Sequence, residues 1–361
     1  MADLADLDAL SRLDSLDVLA RVEALGDQCG AGYAIGVGAQ GLPDATGVES
    51  IVVLGMGGSG VAGDVARAVA EPRLPLPMRV VKGYGPLPEW IGRNTLVVAV
   101  SYSGNTEETL AAVDEAHARG ARVVAVSSGG ALAERAREWG VAHAAVPPGN
   151  QPRASLGYLA LAVLGILEGV GVVPAAADDV DETVAVLGEL AERCHRTRDD
   201  DNPAKELARR LDGKIAVVYG GEGIGAAAAQ RVKCDLNEYA KVPAFWNQLP
   251  EADHNEIVGW DRLAELTASH FVAVLLRDDG DDERVAARFE LTRELVAASF
   301  SDVVELRSEG RARLARLMSL LYVGQLAAIH LAFLADVDPG PVEAIDRLKA
   351  ALAQRDASPA A

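Results

Sequence analysis

The sequence predicts an α/β protein with two units, each a doubly wound, mostly parallel sheet flanked by helices. Short runs of β-branched residues alternate with helical segments along most of the chain. These runs are apolar throughout rather than at every second position, as expected for parallel strands buried on both faces. The order strand, glycine turn, helix occurs twice, and 361 residues are enough for two domains.

Five segments follow from the changes in periodicity and in glycine and proline content along the chain. A proline-rich patch, Pro147-Pro148-Gly149-Asn150-Gln151-Pro152, ends the first α/β unit, and Pro339-Gly340-Pro341 interrupts the last helical stretch. The predicted segments are an N-terminal helical arm with its connector (1–47), a first α/β domain (48–152), linking helices (153–212), a second α/β domain (213–310) and C-terminal helices (311–361).

The strands are predicted from the β-branched runs that stand before turns. In the first domain they are Ile51–Leu54, Arg79–Lys82, Leu96–Val100 and Arg122–Ser127, with a weaker candidate at Val141–Val146. In the second domain they are Lys214–Tyr219, Phe271–Leu276 and Val303–Leu306.

The charge of the chain excludes several classes of partner. With 53 Asp and Glu against 34 Lys and Arg, the net charge is −19, which repels nucleic acid and anionic membranes. We see no run of about eighteen uncharged apolar residues and no secretory signal. The cysteines Cys29, Cys194 and Cys234 form no CxxC pair and have no metal-ligand spacing. The sequence therefore predicts a reduced, cytoplasmic protein that uses neither a metal nor a membrane.

The first glycine turn, Gly55-Met56-Gly57-Gly58-Ser59-Gly60, lies between a predicted strand and a helix. Its GxGxxG spacing fits a dinucleotide site. However, the second strand is followed by no carboxylate that could bind the ribose of NAD, which disfavours that cofactor. Lys82 at this position leaves NADP as a weak alternative. A second interpretation is contact with a phosphate or sugar through backbone N–H groups at the helix start. Tight packing of strand on helix is a third. On the second interpretation, the contacts are Gly57, Gly58 and Ser59.

A turn rich in hydroxyl groups follows the strand Leu96–Val100. Gly104 permits a positive φ there, and Asn105 with Glu108 is spaced like a capping box that starts a helix. Hydroxyl donors beside the free N–H groups of a helix start suit a phosphate held by neutral donors. An ordinary N-cap is the alternative. The predicted phosphate-binding side chains of this turn are Ser101, Ser103 and Thr106.

Three further residues fit the needs of an aldose–ketose isomerase. Such an enzyme needs one base that reaches both C1 and C2, a group that opens the sugar ring, and a cation near the enediolate oxygens. Glu238, His254 and Arg153 are suited to these roles in that order. Taken singly, each has an ordinary alternative as a surface, loop or ion-paired residue.

Together these motifs resemble the bifunctional phosphoglucose/phosphomannose isomerases of the sugar isomerase (SIS) superfamily. The resemblance covers nearly the whole chain, because the motifs occur in order from residue 55 to residue 349. Besides the two phosphate turns they are Pro152-Arg153-Ala154, Asn237-Glu238-Tyr239-Ala240-Lys241, Pro250-Glu251-Ala252-Asp253-His254-Asn255-Glu256 and Ile345-Asp346-Arg347-Leu348-Lys349.

The resemblance implies two SIS domains and interconversion of glucose 6-phosphate, and of mannose 6-phosphate, with fructose 6-phosphate through a cis-enediolate. Glu238 would be the catalytic base, Arg153 would face the intermediate, and His254 and Lys349 would assist ring opening. The resemblance also implies no metal or cofactor, and a homodimer in which His254 enters the site of the partner. A catalytically silent SIS protein that senses a sugar phosphate is the alternative. Pro339–Val342 offers no hydroxyl to organise a water, so the mannose activity is the less strongly indicated.

Overall fold

The computed structural model describes residues 4–356 and contains two separate parallel sheets. The first sheet has five strands in the order β2-β1-β3-β4-β5, all parallel. They are β1 (Ser50–Leu54), β2 (Met78–Val81), β3 (Thr95–Val100), β4 (Arg122–Ser127) and β5 (Ala142–Ala145). All five predicted strands of this domain are confirmed.

The second sheet has four parallel strands in the order β7-β6-β8-β9. They are β6 (Ile215–Gly221), β7 (Ala244–Leu249), β8 (Phe271–Arg277) and β9 (Asp302–Arg307). Three of them were predicted and β7 was not. Its sequence, Ala-Phe-Trp-Asn-Gln-Leu, contains no β-branched residue from which a strand could be predicted, and only its two ends are buried.

Fifteen α-helices lie within residues 4–356 and surround the two sheets. They are α1 (Leu7–Leu13), α2 (Val18–Glu23), α3 (Leu25–Val37), α4 (Gly57–Ala70), α5 (Glu107–Ala118), α6 (Gly130–Trp139), α7 (Leu156–Val170), α8 (Ala177–Arg193), α9 (Pro203–Leu211), α10 (Ile224–Glu238), α11 (Glu256–Gly259), α12 (Ala264–His270), α13 (Glu283–Val296), α14 (Arg313–Leu334) and α15 (Glu343–Asp356).

The apolar runs form parallel strands because both of their faces are buried. In β1 the side chains of Ile51 and Val53 join one core cluster, whereas Val52 and Leu54 join another on the opposite face. The first cluster continues through α7, α10 and α14, so the two domains share a core. Both domains are therefore doubly wound, as predicted.

Helix α14 corrects one expectation from the sequence. It is long and apolar enough to cross a membrane by length and composition, contrary to our prediction that no such run exists. However, 94% of its apolar window is buried inside the protein, where it packs against α8, α9 and α10. Its apolar character is explained by its position as the central helix of the shared core.

Strand order places the two predicted phosphate turns side by side. β1 and β3 are neighbours in the first sheet. From β1 the chain continues to β2 at one edge of the sheet, and from β3 it continues to β4 in the opposite direction. In open α/β sheets, ligands bind in the crevice at such a switch point. The glycine turn follows β1 and the hydroxyl turn follows β3, so both border this crevice.

Candidate active site

The hydroxyl turn after β3 combines buried and open side chains. Ser101 is wholly buried, and its Oγ lies 2.8 Å from Oγ1 of Thr106, which is partly exposed. Ser103 is exposed, and its Oγ accepts a hydrogen bond from the backbone N–H of Asn105 at 3.2 Å. Because Ser103 serves there as an acceptor, its hydroxyl hydrogen stays available for an anion. Ser101 is placed to orient Thr106 rather than to meet solvent.

The predicted capping box in this turn is wrong. Helix α5 begins after Thr106, and no side chain caps it. The side chain of Asn105 instead accepts a hydrogen bond from the backbone N–H of Ala131 at 3.0 Å and donates to the carbonyl of Ser103 at 3.2 Å. The amide thus ties the turn to the start of α6, and the N–H groups at the start of α5 receive no side-chain cap.

The two turns are joined through Ser59 and Tyr102. The backbone N–H of Tyr102 donates to Ser59 Oγ at 3.2 Å, and the phenol of Tyr102 donates to the carbonyl of Pro147 at 2.8 Å. The phenol oxygen also accepts from the backbone N–H of Asn150 at 2.8 Å. The aromatic side chain therefore fastens the loop that precedes Arg153 to the hydroxyl turn. Sequence reasoning did not identify Tyr102, whose partners are backbone groups distant in the chain.

Gly58 brings the first turn against the segment that carries Arg153. A Cβ at this position would lie 3.0 Å from the carbonyl carbon and oxygen of Pro152 and 3.1 Å from the backbone nitrogen of Arg153. A side chain would push the two segments apart. Gly57, by contrast, has φ +51° and open space where a Cβ would project. The turn thus presents bare backbone to the crevice at Gly57 and to the arginine segment at Gly58.

Arg153, at the start of the linking segment, and Glu238, in the second domain, are brought together. Nη1 of Arg153 lies 3.9 Å from Oε2 of Glu238, which ends helix α10. Arg153 is buried, lies with its guanidinium 5.2 Å from the centre of the Tyr239 ring, and donates from Nη2 to the carbonyls of Pro339 (at 3.1 Å) and Gly340. Glu238 keeps 27% of its side chain exposed, so the carboxylate remains reachable.

A buried ion pair holds the backbone of Arg153 in place. Arg231 and Asp235, both about 1% exposed, face each other on α10, with Nη2 to Oδ1 at 2.7 Å and Nε to Oδ2 at 2.9 Å. Nη2 of Arg231 also donates to the backbone carbonyl of Arg153 at 2.6 Å. Burial raises the pKa of Asp235 to about 7 against the opposing charge of Arg231. The sequence held a signal for this pair in its i, i+4 spacing on one helix, but nothing indicated that it is buried.

A cavity of about 640 Å³ opens beside Glu238, between the end of α10 and the start of α15. Lys241 and Asp338 line it together with Glu238. Its volume is in the range of sites for small molecules. Among residues 4–356, no group of three or more His, Cys, Asp or Glu side chains could hold a metal ion.

Along the chain, the whole of β7 lies between Glu238 and His254. His254 ends a short 3₁₀ turn, Glu251–His254, that follows β7, and its side chain is exposed. The neighbouring Asp253 anchors the turn, because its carboxylate accepts from Thr292 at 2.8 Å and pairs with Arg288 at 3.0 Å. In the part of the chain that the structure describes, the imidazole has no hydrogen-bond partner. The turn is thus anchored to α13 while the imidazole itself is presented to solvent.

Lys349 is also exposed, on α15, and within residues 4–356 its ammonium forms no hydrogen bond or ion pair. The same helix contributes Glu343, Ile345 and Arg347 to the wall of the cavity beside Glu238. The structure therefore brings Arg153 and Glu238 together with the phosphate turns, and leaves His254 and Lys349 on the surface.

The second glycine turn, after β6, has charged side chains of the protein close to it. A Cβ on Gly221 would lie 2.5 Å from Oδ1 of Asp281, and one on Gly223 would lie 2.5 Å from Nη2 of Arg313. Gly221 is buried, whereas Gly223 is exposed and borders a cavity together with Glu222. The repeat of strand, glycine turn and helix is confirmed, but the second copy has Asp281 and Arg313 beside its backbone.

Family models match both domains. The SIS domain matches residues 46–167, and the bacterial phospho-glucose isomerase C-terminal SIS domain matches residues 200–352. Among solved structures, a hypothetical protein of Thermus thermophilus covers 97% of this chain and 94% of its own at TM-score 0.72, with 17% identity. A glucose-6-phosphate isomerase like protein from the same organism covers 95% and 99% at TM-score 0.63, with 23% identity. These likenesses support the fold.

Curated relatives are closer in sequence. A bifunctional phosphoglucose/phosphomannose isomerase of Caldicellulosiruptor bescii is 37% identical over 91% of this chain and 97% of its own length. One of Aquifex aeolicus is 39% identical over 85% and 91%. A D-glucosamine-6-phosphate 4-epimerase of Sulfolobus acidocaldarius is 31% identical over 79% and 86%. The chain belongs to the bifunctional phosphoglucose/phosphomannose isomerase family of SIS-domain proteins.

Proposed function

We propose that the protein interconverts glucose 6-phosphate and mannose 6-phosphate with fructose 6-phosphate. One observation carries the proposal. A continuous series of contacts connects the hydroxyl turn to Glu238. Tyr102 of that turn contacts Ser59, and the neighbouring Gly58 lies against Pro152. The next residue, Arg153, lies beside Glu238. A phosphate seat, a cation and a carboxylate base are thereby fixed relative to one another. This is the arrangement that proton transfer between C1 and C2 of a phosphorylated sugar requires.

In the proposed mechanism, the phosphate binds to backbone N–H groups of Gly57 and Gly58 and to free hydroxyl hydrogens of the two turns. Ser103 and Thr106 make direct contacts, while Ser59 and Ser101 hold the turns in shape. Glu238 takes the proton from C2 of the aldose and returns it to C1, and the reverse for the ketose. Arg153 stabilises the negative charge that develops on the cis-enediolate oxygens. Lys349 and His254 assist opening of the sugar ring.

We further propose that the enzyme works as a cytoplasmic homodimer in which His254 acts in the partner's site. Two observations support this. The imidazole is exposed and has no hydrogen-bond partner among the described residues, yet its turn is anchored by the two contacts of Asp253 with α13. An anchored turn that presents an imidazole without a described hydrogen-bond partner to solvent is suited to a residue that acts in another subunit.

The activity is tested with the full chain, fructose 6-phosphate and a chelator, and the aldose products are identified by NMR. We expect both glucose 6-phosphate and mannose 6-phosphate. Glucose 6-phosphate alone would limit the proposal to one epimer. Binding of fructose 6-phosphate without any product would contradict the isomerase and favour the silent sensor.

The role of Glu238 is tested with Glu238→Gln, which keeps the size of the side chain and removes the base. We expect kcat to fall by about 10²-fold or more with little change in affinity for the phosphate. Glu49→Gln is the matched control. Glu49 is exposed and precedes the amino end of β1, whereas the glycine turn follows its carboxyl end. Full activity in Glu238→Gln would overturn the assignment of the base.

A further inference from the structure

Lys241 stands shortly beyond the end of α10 with an unusual backbone conformation. Its φ is +59°, in the left-handed region. The backbone N–H of Val242 donates to the carbonyl of Leu236, six residues earlier, at 3.4 Å, so the chain folds back over the end of α10. Glycine is the residue that adopts a left-handed φ without strain. A lysine here costs backbone strain, which persists most often where the side chain has a task.

The side chain of Lys241 reaches the loop that also holds Arg153. Its Nζ donates to the carbonyl of Glu238 and, at 3.3 Å, to the carbonyl of Pro339. Arg153 donates to the same Pro339 carbonyl at 3.1 Å. An ammonium has three N–H donors, so one remains for a ligand. Lys241 also lines the cavity of about 640 Å³ beside the carboxylate of Glu238.

From this geometry we propose that Lys241 is a further catalytic residue of the isomerisation, which contacts the sugar beside C1 and C2 and supports the enediolate charge with Arg153. The inference rests on the function proposed above. It explains why two cations share one neutral carbonyl at the rim of a cavity. Negative charge that develops in the sugar would be stabilised by both cations at once.

The charges around Lys241 support a protonation change near neutral pH. Lys241 is exposed as a whole, but partial burial of its ammonium and the positive charge of Arg153 lower its pKa to about 8, while Asp338 and Glu238 act in the opposite direction. Across the cavity, α15 contributes Glu343 and Arg347 to the same wall. The ammonium is therefore charged below about pH 8 and neutral above it. Because the proposed role needs the charge, activity that depends on Lys241 should be lost as the pH rises through that value.

Lys241→Gly separates catalysis from helix capping. Glycine accepts the left-handed φ without strain, so we expect the midpoint of thermal unfolding to stay the same or rise. Loss of the ammonium should lower kcat for fructose 6-phosphate by about 10²-fold. Asp201→Gly is the matched control, because Asp201 also has a left-handed φ of +56° and is exposed between α8 and α9. It should leave kcat and KM unchanged.

Lys241→Arg tests the charge through the pH profile. Arginine stays protonated throughout, so the loss of kcat/KM near pH 8 expected for the wild type should disappear in this variant. Normal kcat in Lys241→Gly, or the same alkaline limb in Lys241→Arg, would show that the lysine is only a helix cap. An inactive wild type would instead overturn the proposed function, so the two failures are distinguishable.

Discussion

Arg153 illustrates what single residues do in this protein. Its Nη2 holds the Pro339–Gly340 turn, its backbone carbonyl is held by Arg231, and its Nη1 faces Glu238. Its buried Nε has no hydrogen-bond partner among the described residues. The resemblance of Pro152-Arg153-Ala154 to a family motif led to the prediction that this arginine faces the intermediate. The partners that orient it lie 78 and 186 residues away, which sequence patterns cannot reveal.

His330 gives a residue-scale prediction about pH and stability. It is wholly buried in α14, neither ring nitrogen has a described partner, and burial lowers its pKa from 6.5 to about 3. The unfolded chain therefore takes up a proton as the pH falls below about 6.5, whereas the folded protein does not. The stability that neutral His330 preserves is present above pH 6.5 and is lost progressively towards pH 3. Between about pH 7 and pH 5 the loss is about 2 kcal/mol.

His330→Leu should remove this part of the acid sensitivity, measured as the free energy of unfolding in urea across the pH range. His270→Gln is the control, because His270 is exposed and its removal should leave the slope with pH unchanged. An identical pH slope in His330→Leu and the wild type would contradict the assignment.

At the scale of elements, the N-terminal helices pack more closely on the first domain than their sequence predicted. The sequence predicted helices in 1–47, but α3 does more than extend the chain. It packs so closely on α7 that a Cβ on Gly36 would overlap the backbone carbonyl of Ala162. Glycines on both helices permit this approach, since a Cβ on Gly165 would lie 2.6 Å from the carbonyl oxygen of Tyr33. Helix α3 is therefore part of the core of the first domain.

Gly36→Ala should push α3 away from α7, because the obstructing atoms belong to the backbone and cannot rotate aside. We expect a loss of about 1–3 kcal/mol in the free energy of unfolding. Gly188→Ala is the matched control in α8, where no atom lies within 4 Å of the added Cβ. It should gain about 0.5–1 kcal/mol from helix propensity. Equal stabilities for the two variants in urea denaturation would exclude the close contact.

Strand β7 marks the limit of element prediction. The other eight strands were predicted because they are largely continuous apolar runs that pair within the sheets. β7 lies at a sheet edge, as do β2, β5 and β9, but unlike them it lies in no β-branched run, because Ala-Phe-Trp-Asn-Gln-Leu contains no Val, Ile or Thr. Its hydrogen bonds to β6 exist only once the sheet has formed. A strand outside any β-branched run therefore depends on tertiary pairing for its identity.

At the scale of the whole molecule, the predicted catalytic residues do not all meet within one chain. Arg153 and Glu238 meet, whereas the exposed His254 and Lys349 have no described partner. The homodimer proposed above completes the set with a histidine from the partner. It also accounts for exposed apolar side chains on the segments that follow His254, which are Val258, Leu263, Leu291 and Leu295.

Subunit complementation tests the shared site. Glu238→Gln and His254→Gln should each be nearly inactive as homodimers. When the two variants are co-expressed, about half of the dimers are mixed, and each mixed dimer has one site with both wild-type groups. We expect about a quarter of the wild-type kcat to return. No recovery, with mixed dimers shown to form by mass spectrometry, would place His254 in the site of its own chain.

The sequence by itself determined the α/β class and eight of nine described strands, and it supplied the predicted phosphate turns and the candidate residues. These depend on local periodicity and on motifs in which the residues stand next to one another. Only the tertiary structure decided that Ser101 supports Thr106, that Asp281 and Arg313 lie beside the second glycine turn, and that Lys241 shares a carbonyl with Arg153. The reason is physical. Burial, pairing and pKa depend on atoms that are distant in the chain and meet only when the two domains pack on a common core.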